Sequence, residues 1–151
     1  MASDIWYFAY GSNLSVDRKR QPTGSIRSAR TACLKDYRFA FNKGGVGGEV
    51  YANIVRSPGD VVWGVVYLCD GQAMAILDDY EAVETGDYWR QPVEIETTDG
   101  QLLKAEAYIA GEDFVIAEGC PRAWYLDLII SGARKHGLPE EYIHHLEELA
   151  R

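Results

Sequence analysis

The sequence predicts an α+β fold: a small mixed, mostly antiparallel β-barrel of about six strands with flanking α-helices. Three observations carry this reading. Short apolar or alternating runs, bounded by Gly-, Pro- and Asp-containing turns, dominate the chain up to Ile109; apolar periodicity near 3.6 is confined to one segment after Asp70 and two after Pro121; and no linker or 20-to-50-residue repeat separates two cores, so 1–151 is expected to be one domain.

Ile5 to Tyr10 is short, aromatic and uncharged, as a buried strand is, and Gly11 then lets the backbone turn sharply. Ser12 or Asn13 caps the segment after it. If Leu14 to Arg20 opens a helix, the N–H groups of this turn lack intrahelical partners and stand at the positive end of a dipole, which suits an anion. The same residues also read as a plain strand-to-helix turn with an ordinary cap. Gln21 to Arg30 is polar and reads as a loop. Thr31 to Asn42 is a half-buried strand in which Tyr37, Phe39 and Phe41 alternate with Arg38 and Ala40. Gly44-Gly45-Val46-Gly47-Gly48 lacks the GK[ST] ending of a phosphate loop and reads as a hairpin connection.

Val50 to Arg56 and Val61 to Cys69 are expected as two strands joined by a β-turn at Ser57-Pro58-Gly59-Asp60, because proline presets φ and glycine accepts a positive one. Gly64, inside the second, suggests a bulge or close approach of another group. Asp70 caps a helix whose buried face is Ala73, Ile76, Leu77 and Tyr80; Glu81 is drawn toward that side, whereas Asp78 and Asp79 point to solvent. Glu81 is either a boundary residue at a fraying helix end or a desolvated carboxylate suited to proton transfer. After the acidic loop Ala82 to Trp89, a hairpin turns at Asp99-Gly100 between the strands around Val93–Thr97 and Leu103–Ile109. Pro121 starts a helix with Tyr125, Leu128, Ile129 and Gly132 inward, Gly137 ends it, and Pro139 starts the last, with Tyr142, Ile143, Leu146 and Leu149 inward.

Composition narrows the function. Hydrophobic residues make up 47% of the chain, which excludes disorder, and a formal net charge of −8 excludes a nucleic-acid partner, which needs a basic face. Only Arg18-Lys19-Arg20, extended by Arg27 and Arg30, is locally basic, as a solvated helix end is. Cys33, Cys69 and Cys120 are odd in number and lack CxxC spacing, so neither disulfides nor a structural zinc site is indicated. No basic-then-apolar leader and no apolar run long enough to span a bilayer is seen, which predicts a soluble cytoplasmic protein without a membrane partner. His136, His144 and His145 all lie near the end on surface helix ends, and GxSxG, HExxH and GxGxxG are absent. A carboxylate, a set of tyrosines and a donor-rich turn remain, which fits cofactor-free proton transfer on a small polar ligand.

Four segments, Phe8-Ala9-Tyr10-Gly11-Ser12-Asn13-Leu14, Ser57 to Val66, Leu77-Asp78-Asp79-Tyr80-Glu81 to Tyr88, and Tyr125 to Pro139, resemble the γ-glutamylcyclotransferase family in order and spacing. The resemblance implies a small β-barrel with flanking helices and metal-free release of 5-oxoproline from γ-glutamyl amino acids or γ-glutamylamines. It places the catalytic carboxylate at Glu81, and substrate-binding groups at Tyr10, Gly11, Ser12, Asn13, Leu14, Tyr88 and Tyr125. It also implies a homodimer. Many members carry glycine after the catalytic glutamate; Ala82 stands there in this chain and costs little unless the position needs a positive φ. Glu84 and Asp87 are fallback carboxylates. The alternatives are a biosynthetic member that deprotects a larger γ-glutamyl intermediate, and a non-catalytic module that binds a small acidic metabolite.

Overall fold

The computed structural model describes residues 4–15 and 26–151. The aromatic alternation of Tyr37, Phe39 and Phe41 marks the wall of a closed barrel in which, among the described residues, five strands run in the order β1, β3, β2, β4, β5. They are β1 (Ile5–Ala9), β2 (Ile26–Gly44), β3 (Val50–Cys69), β4 (Tyr88–Thr97) and β5 (Leu102–Ala110). All neighbours are antiparallel except β1 and β5, which meet in parallel at Tyr7 and Glu106 and close the ring. Phe8, Phe39, Phe41 and Ile54 are at most 2% exposed. Each such side chain contributes about 1.5–3 kcal/mol of burial.

The strand count corrects the expectation of six. Val50–Arg56 and Val61–Cys69 are not a hairpin but two halves of β3, both paired to β2. Lys35 pairs with Val61 and Tyr37 with Arg56, so residues 57–60 stand against Asp36 alone. The turn chemistry is present but is spent on a side excursion. Gly59 has φ 89° and donates its N–H to the Asp36 carboxylate at 3.0 Å, while Asp36 itself takes φ 67°. A long, uninterrupted β2 templates both halves and overrides the local tendency to reverse. β2 also begins earlier than expected: Ile26–Arg30 is strand rather than loop, with Arg27 ion-paired to Asp4 and Arg30 to Asp99 at 3.0 Å. Arg18-Lys19-Arg20 lies outside the described residues.

Gly64 is a point of close approach, as its strand position suggested: a Cβ there would come within 2.3 Å of the Ala9 carbonyl oxygen. Among the described residues three α-helices pack outside the barrel: α1 (Gly71–Tyr80), α2 (Ala123–Lys135) and α3 (Glu140–Leu149). The Asp70 side chain caps α1 by accepting from Ala73 N at 2.8 Å. Its buried face is Ala73, Met74 and Leu77; Ile76 is 36% and Tyr80 70% exposed, because the barrel wall covers a narrower stripe than periodicity implied. On α2, Leu128 is likewise exposed, and Ala133 joins Tyr125, Ile129 and Gly132 inside. Asp78 does not simply face solvent. It pairs with Arg90 at 2.9 Å and accepts the Tyr108 hydroxyl at 2.7 Å, tying α1 to β4 and β5.

Gly132 is where α2 meets the chain leaving β1. A Cβ at Gly132 would stand 2.6 Å from Leu14 Cβ and 2.7 Å from its carbonyl carbon. Gly132→Ala is therefore expected to destabilise the fold by about 1–3 kcal/mol, the usual cost of overpacking, read as a lower urea midpoint at unchanged m-value.

Candidate active site

β1 ends at Ala9, and Tyr10-Gly11 leads into a single 3-10 turn, Ser12–Ser15, closed by Leu14 N–H to the Gly11 carbonyl at 3.0 Å. This replaces the expected helical opening at Leu14, whose continuation to Arg20 falls largely outside the described residues. The N–H groups of Gly11, Ser12 and Asn13 precede the first intrahelical bond and so have no acceptor within the turn. Leu14 is fully buried, 0% exposed under α2, and lines neither of the cavities that contain Glu81. Of the five turn residues expected to bind substrate, it is the one whose side chain is set back from the space that Tyr10, Gly11, Ser12 and Asn13 line.

Opposite the turn, α1 ends in a Schellman motif. Val83 N–H reaches the Asp78 carbonyl at 3.0 Å and Ala82 N–H the Asp79 carbonyl at 3.1 Å, which makes Glu81 the C-cap. The cap directs the Glu81 side chain inward. Asn13 Nδ2 donates to Glu81 Oε1 at 2.9 Å and to the Tyr7 hydroxyl at 2.6 Å, so one amide joins the turn, the carboxyl and the barrel interior. The two stretches, 68 residues apart in sequence, thus meet directly. Burial pushes the Glu81 carboxyl up from its ordinary 4.5 to about 7, against the opposing pull of the Asn13 hydrogen bond and the Lys43 charge.

Tyr88 and Tyr125 clamp the backbone of one residue on β3. The Tyr88 hydroxyl donates to the Ala52 carbonyl at 2.7 Å, and the Tyr125 hydroxyl accepts from Ala52 N–H at 3.0 Å. Tyr125 therefore keeps its own proton available as a donor. Tyr10 donates to the Tyr108 carbonyl at 2.6 Å. Desolvation, with Glu81 close by, raises Tyr7, Tyr10, Tyr88 and Tyr125 well above the usual phenol range, so they act as neutral phenols and not as bases.

These groups line two adjoining cavities. The inner one, about 30 Å³, is bounded by Tyr7, Tyr10, the Gly11–Asn13 turn and Tyr108; the outer, about 250 Å³, by Lys43, Tyr51, Tyr80, Asp87, Trp124 and Leu128. Ser12, Glu81, Tyr88 and Tyr125 belong to both walls. Larger grooves, of about 610 and 430 Å³, run along the strands elsewhere, but neither contains Glu81 or the turn.

The fallback carboxylates fare differently from Glu81. Asp87 is held ionised, its carboxyl below the usual range, by hydrogen bonds from Lys43 at 2.7 Å and from the Thr85 hydroxyl at 2.6 Å. Glu84 is exposed and lines neither cavity. Sequence reasoning missed Lys43, Asn13's amide bridge and Tyr7. Tyr7 sat inside the predicted strand without a signal of its own. Lys43 falls two and four residues beyond Phe41 and Phe39, a period-2 hint that it shares their buried surroundings, blunted by a register shift between Phe41 and Lys43.

Comparison with known proteins gives this geometry a setting. A family model described as the AIG2-like family matches residues 61–146. The γ-glutamylcyclotransferase of Mus musculus is 33% identical over 146 residues, and that of Homo sapiens 34% over 141, each alignment covering 90% of this chain and 73% of the relative. The chain belongs to the γ-glutamylcyclotransferase family. A solved structure of a γ-glutamyl cyclotransferase superposes with a TM-score of 0.83 at 31% identity, covering 96% of this chain and 87% of that one. The γ-glutamylcyclotransferase-like barrel with outer helices is thus the fold of this chain, in agreement with the reading from sequence.

Within this family member, Ala82 takes φ 54°, the left-handed conformation of the Schellman C′ position. At the end of α2 the same motif is built with Gly137 at φ 70°, its Leu138 N–H reaching the Ala133 carbonyl at 3.0 Å. One helix uses glycine there and the other does not. An L-residue in that region costs about 1–2 kcal/mol, and glycine gives back part of the gain through unfolded-state entropy. Ala82→Gly is expected to stabilise the protein by about 0.5–1 kcal/mol, read from the urea midpoint.

Proposed function

We propose that this chain is a γ-glutamylcyclotransferase that releases 5-oxoproline from γ-glutamyl amides, with Glu81 as the group that moves the proton. The observation that carries the reading is Glu81: a buried carboxyl raised to about 7, bridged by Asn13 to a donor-rich turn, at the junction of two cavities. A general acid–base works best when its pKa lies near the working pH.

A γ-glutamyl amide carries its own nucleophile. Glu81 as carboxylate accepts a proton from the substrate's α-ammonium, and the freed amine nitrogen attacks the γ-carbonyl carbon, closing a five-membered ring. The carbonyl π pair moves onto oxygen. When the tetrahedral intermediate collapses, the bond to the leaving nitrogen breaks as Glu81 returns its proton to that nitrogen, and the second proton on the new ring nitrogen passes through the freed Glu81 carboxylate to the departing amine, which leaves as an ammonium. Holding the amine and the carbonyl in a near-attack arrangement supplies much of the acceleration. The N–H groups of Gly11, Ser12 and Asn13 and the Tyr125 hydroxyl are the neutral donors available to the oxyanion or to the α-carboxylate. The inner cavity suits the small charged end of the γ-glutamyl unit, and the outer one the departing amine. Because the nucleophile comes from the substrate and the proton carrier from Glu81, the residues present account for every bond change. With Cys33, Cys69 and Cys120 all free thiols, we place this activity in the cytoplasm, carried by a single domain.

Incubation with a panel of γ-glutamyl dipeptides and γ-glutamylamines, followed by mass spectrometry, tests the reading. The expected result is 5-oxoproline with stoichiometric release of the amine. Saturable binding of the panel with no product above background would overturn it in favour of a binding module. Product only from extended γ-glutamyl intermediates would indicate a deprotecting member instead.

A further inference from the structure

We propose that Lys43 is a specificity-determining residue: its ammonium binds the carboxylate of the departing amino acid, so the enzyme favours γ-glutamyl amino acids over γ-glutamylamines. This assignment rests on the cyclotransferase reading. Lysine is almost never buried unless paired, yet the Lys43 side chain is only 5% exposed. Its Nζ sits 2.7 Å from Asp87 Oδ2 and lies over three aromatic faces, 4.9 Å from the Phe114 ring centroid, 5.3 Å from Tyr88 and 5.7 Å from Tyr51.

An ammonium has three N–H donors, and Asp87 takes one. Ring faces attract the charge but do not accept a second full-strength hydrogen bond. The cage therefore fixes where the charge stands while leaving donors for a ligand anion. Lys43 lines the outer cavity and not the inner one, and it is the one cationic side chain on either wall among the described residues. On the cyclotransferase reading the inner cavity, about 30 Å³, takes the small end of the γ-glutamyl unit, which leaves the outer cavity to the departing side of the substrate. In a γ-glutamyl α-amino acid, the second carboxylate is separated from the scissile nitrogen by a single carbon. Glu81 must reach that nitrogen, and Glu81 and Lys43 share the outer wall. A γ-glutamylamine has no such anion, and beside Asp87 and Glu81 its departing group meets a wall whose charge is otherwise negative.

The test compares kcat/KM for γ-glutamyl-alanine with that for γ-glutamyl-ethylamide, which differ by the carboxylate alone. In the wild type the ratio favours the alanine compound. Lys43→Met keeps the apolar stem in the aromatic cage and removes the ammonium; it is expected to lower the ratio by about 10- to 100-fold, the value of a charged hydrogen bond. Asp87→Asn removes the competing anion and is expected to raise the ratio, a direction that damage to the fold would not produce. A ratio indifferent to Lys43→Met, with both substrates weakened equally, would overturn the assignment while leaving the cyclotransferase reading intact. Should thermal unfolding show Lys43→Met misfolded, Asp87→Asn decides, and a ratio that stays level or falls overturns it. Absence of 5-oxoproline from both compounds with the wild type would remove the functional reading and this assignment together.

Discussion

Glu81→Gln is expected to lower kcat for 5-oxoproline release by about 10²–10⁴-fold, the range general acid–base catalysis supplies, while the fold stays intact. The change is nearly isosteric, and a glutamine oxygen can still accept the Asn13 Nδ2 bond that Glu81 Oε1 accepts at 2.9 Å. What is lost is the capacity to take a proton from the α-ammonium and return it to the departing nitrogen. The wild-type pH profile should show the same group. Because the Glu81 carboxyl titrates near 7, kcat/KM rises with pH through that value as the carboxylate form accumulates. In Glu81→Gln this rising limb disappears from whatever activity is left. Asp87→Asn should leave the limb in place, since Asp87 is already ionised through this range. A wild-type profile flat between about pH 5 and 8, or a glutamine variant with full turnover, would remove Glu81 from the chemistry.

The parts of this site that could be read from sequence are those that local chemistry dictates. Tyr10 to Asn13 follows a short aromatic strand and contains the glycine that turns the chain, and the Asp70 cap, the Asp99-Gly100 turn and the helix stop at Gly137 each depend on neighbours within a few residues. Glu81 was legible as a carboxylate at the edge of an apolar helix face; that it would be desolvated depended on Asn13 and the barrel, 68 residues away in the case of Asn13. Two failures have the opposite cause. Ser57 to Asp60 carries good turn chemistry, yet pairing of β3 along the whole of β2 kept the chain running forward. Lys43 next to a glycine run looks like a solvated hairpin end, and its burial is set by Asp87 and Phe114, groups 44 and 71 residues further along. The Ala82 question could be posed from sequence and answered only by the backbone, which takes φ 54° there.

The burial that raises the Glu81 pKa also makes a prediction about stability, and its sign is opposite to that of an ion-paired carboxylate. In the unfolded chain the carboxyl titrates at its ordinary 4.5 and in the folded protein at about 7. Between these values the folded state holds more protons than the unfolded one, so stability falls as pH rises through the window from about 4.5 to about 7. Below the window both states are protonated and the group contributes nothing; above it the folded protein carries the full cost of a buried carboxylate. With part of the charge still reached by solvent, that cost is about 2–3 kcal/mol. Glu81→Gln removes it, because the amide is neutral at every pH. The variant is therefore expected to exceed the wild type in unfolding free energy by about 2–3 kcal/mol at pH 8 and to match it near pH 4. Taking the difference between the two proteins cancels the histidines and the other carboxylates, which titrate alike in both. Urea unfolding at pH 4, 6 and 8 measures it. Equal stability at all three values would mean that Glu81 is not desolvated in the folded protein, and the proton-transfer role built on its raised pKa would fall with that result. A growing advantage for a variant that has lost its turnover would instead mark Glu81 as a residue held at a cost to stability for the sake of proton transfer.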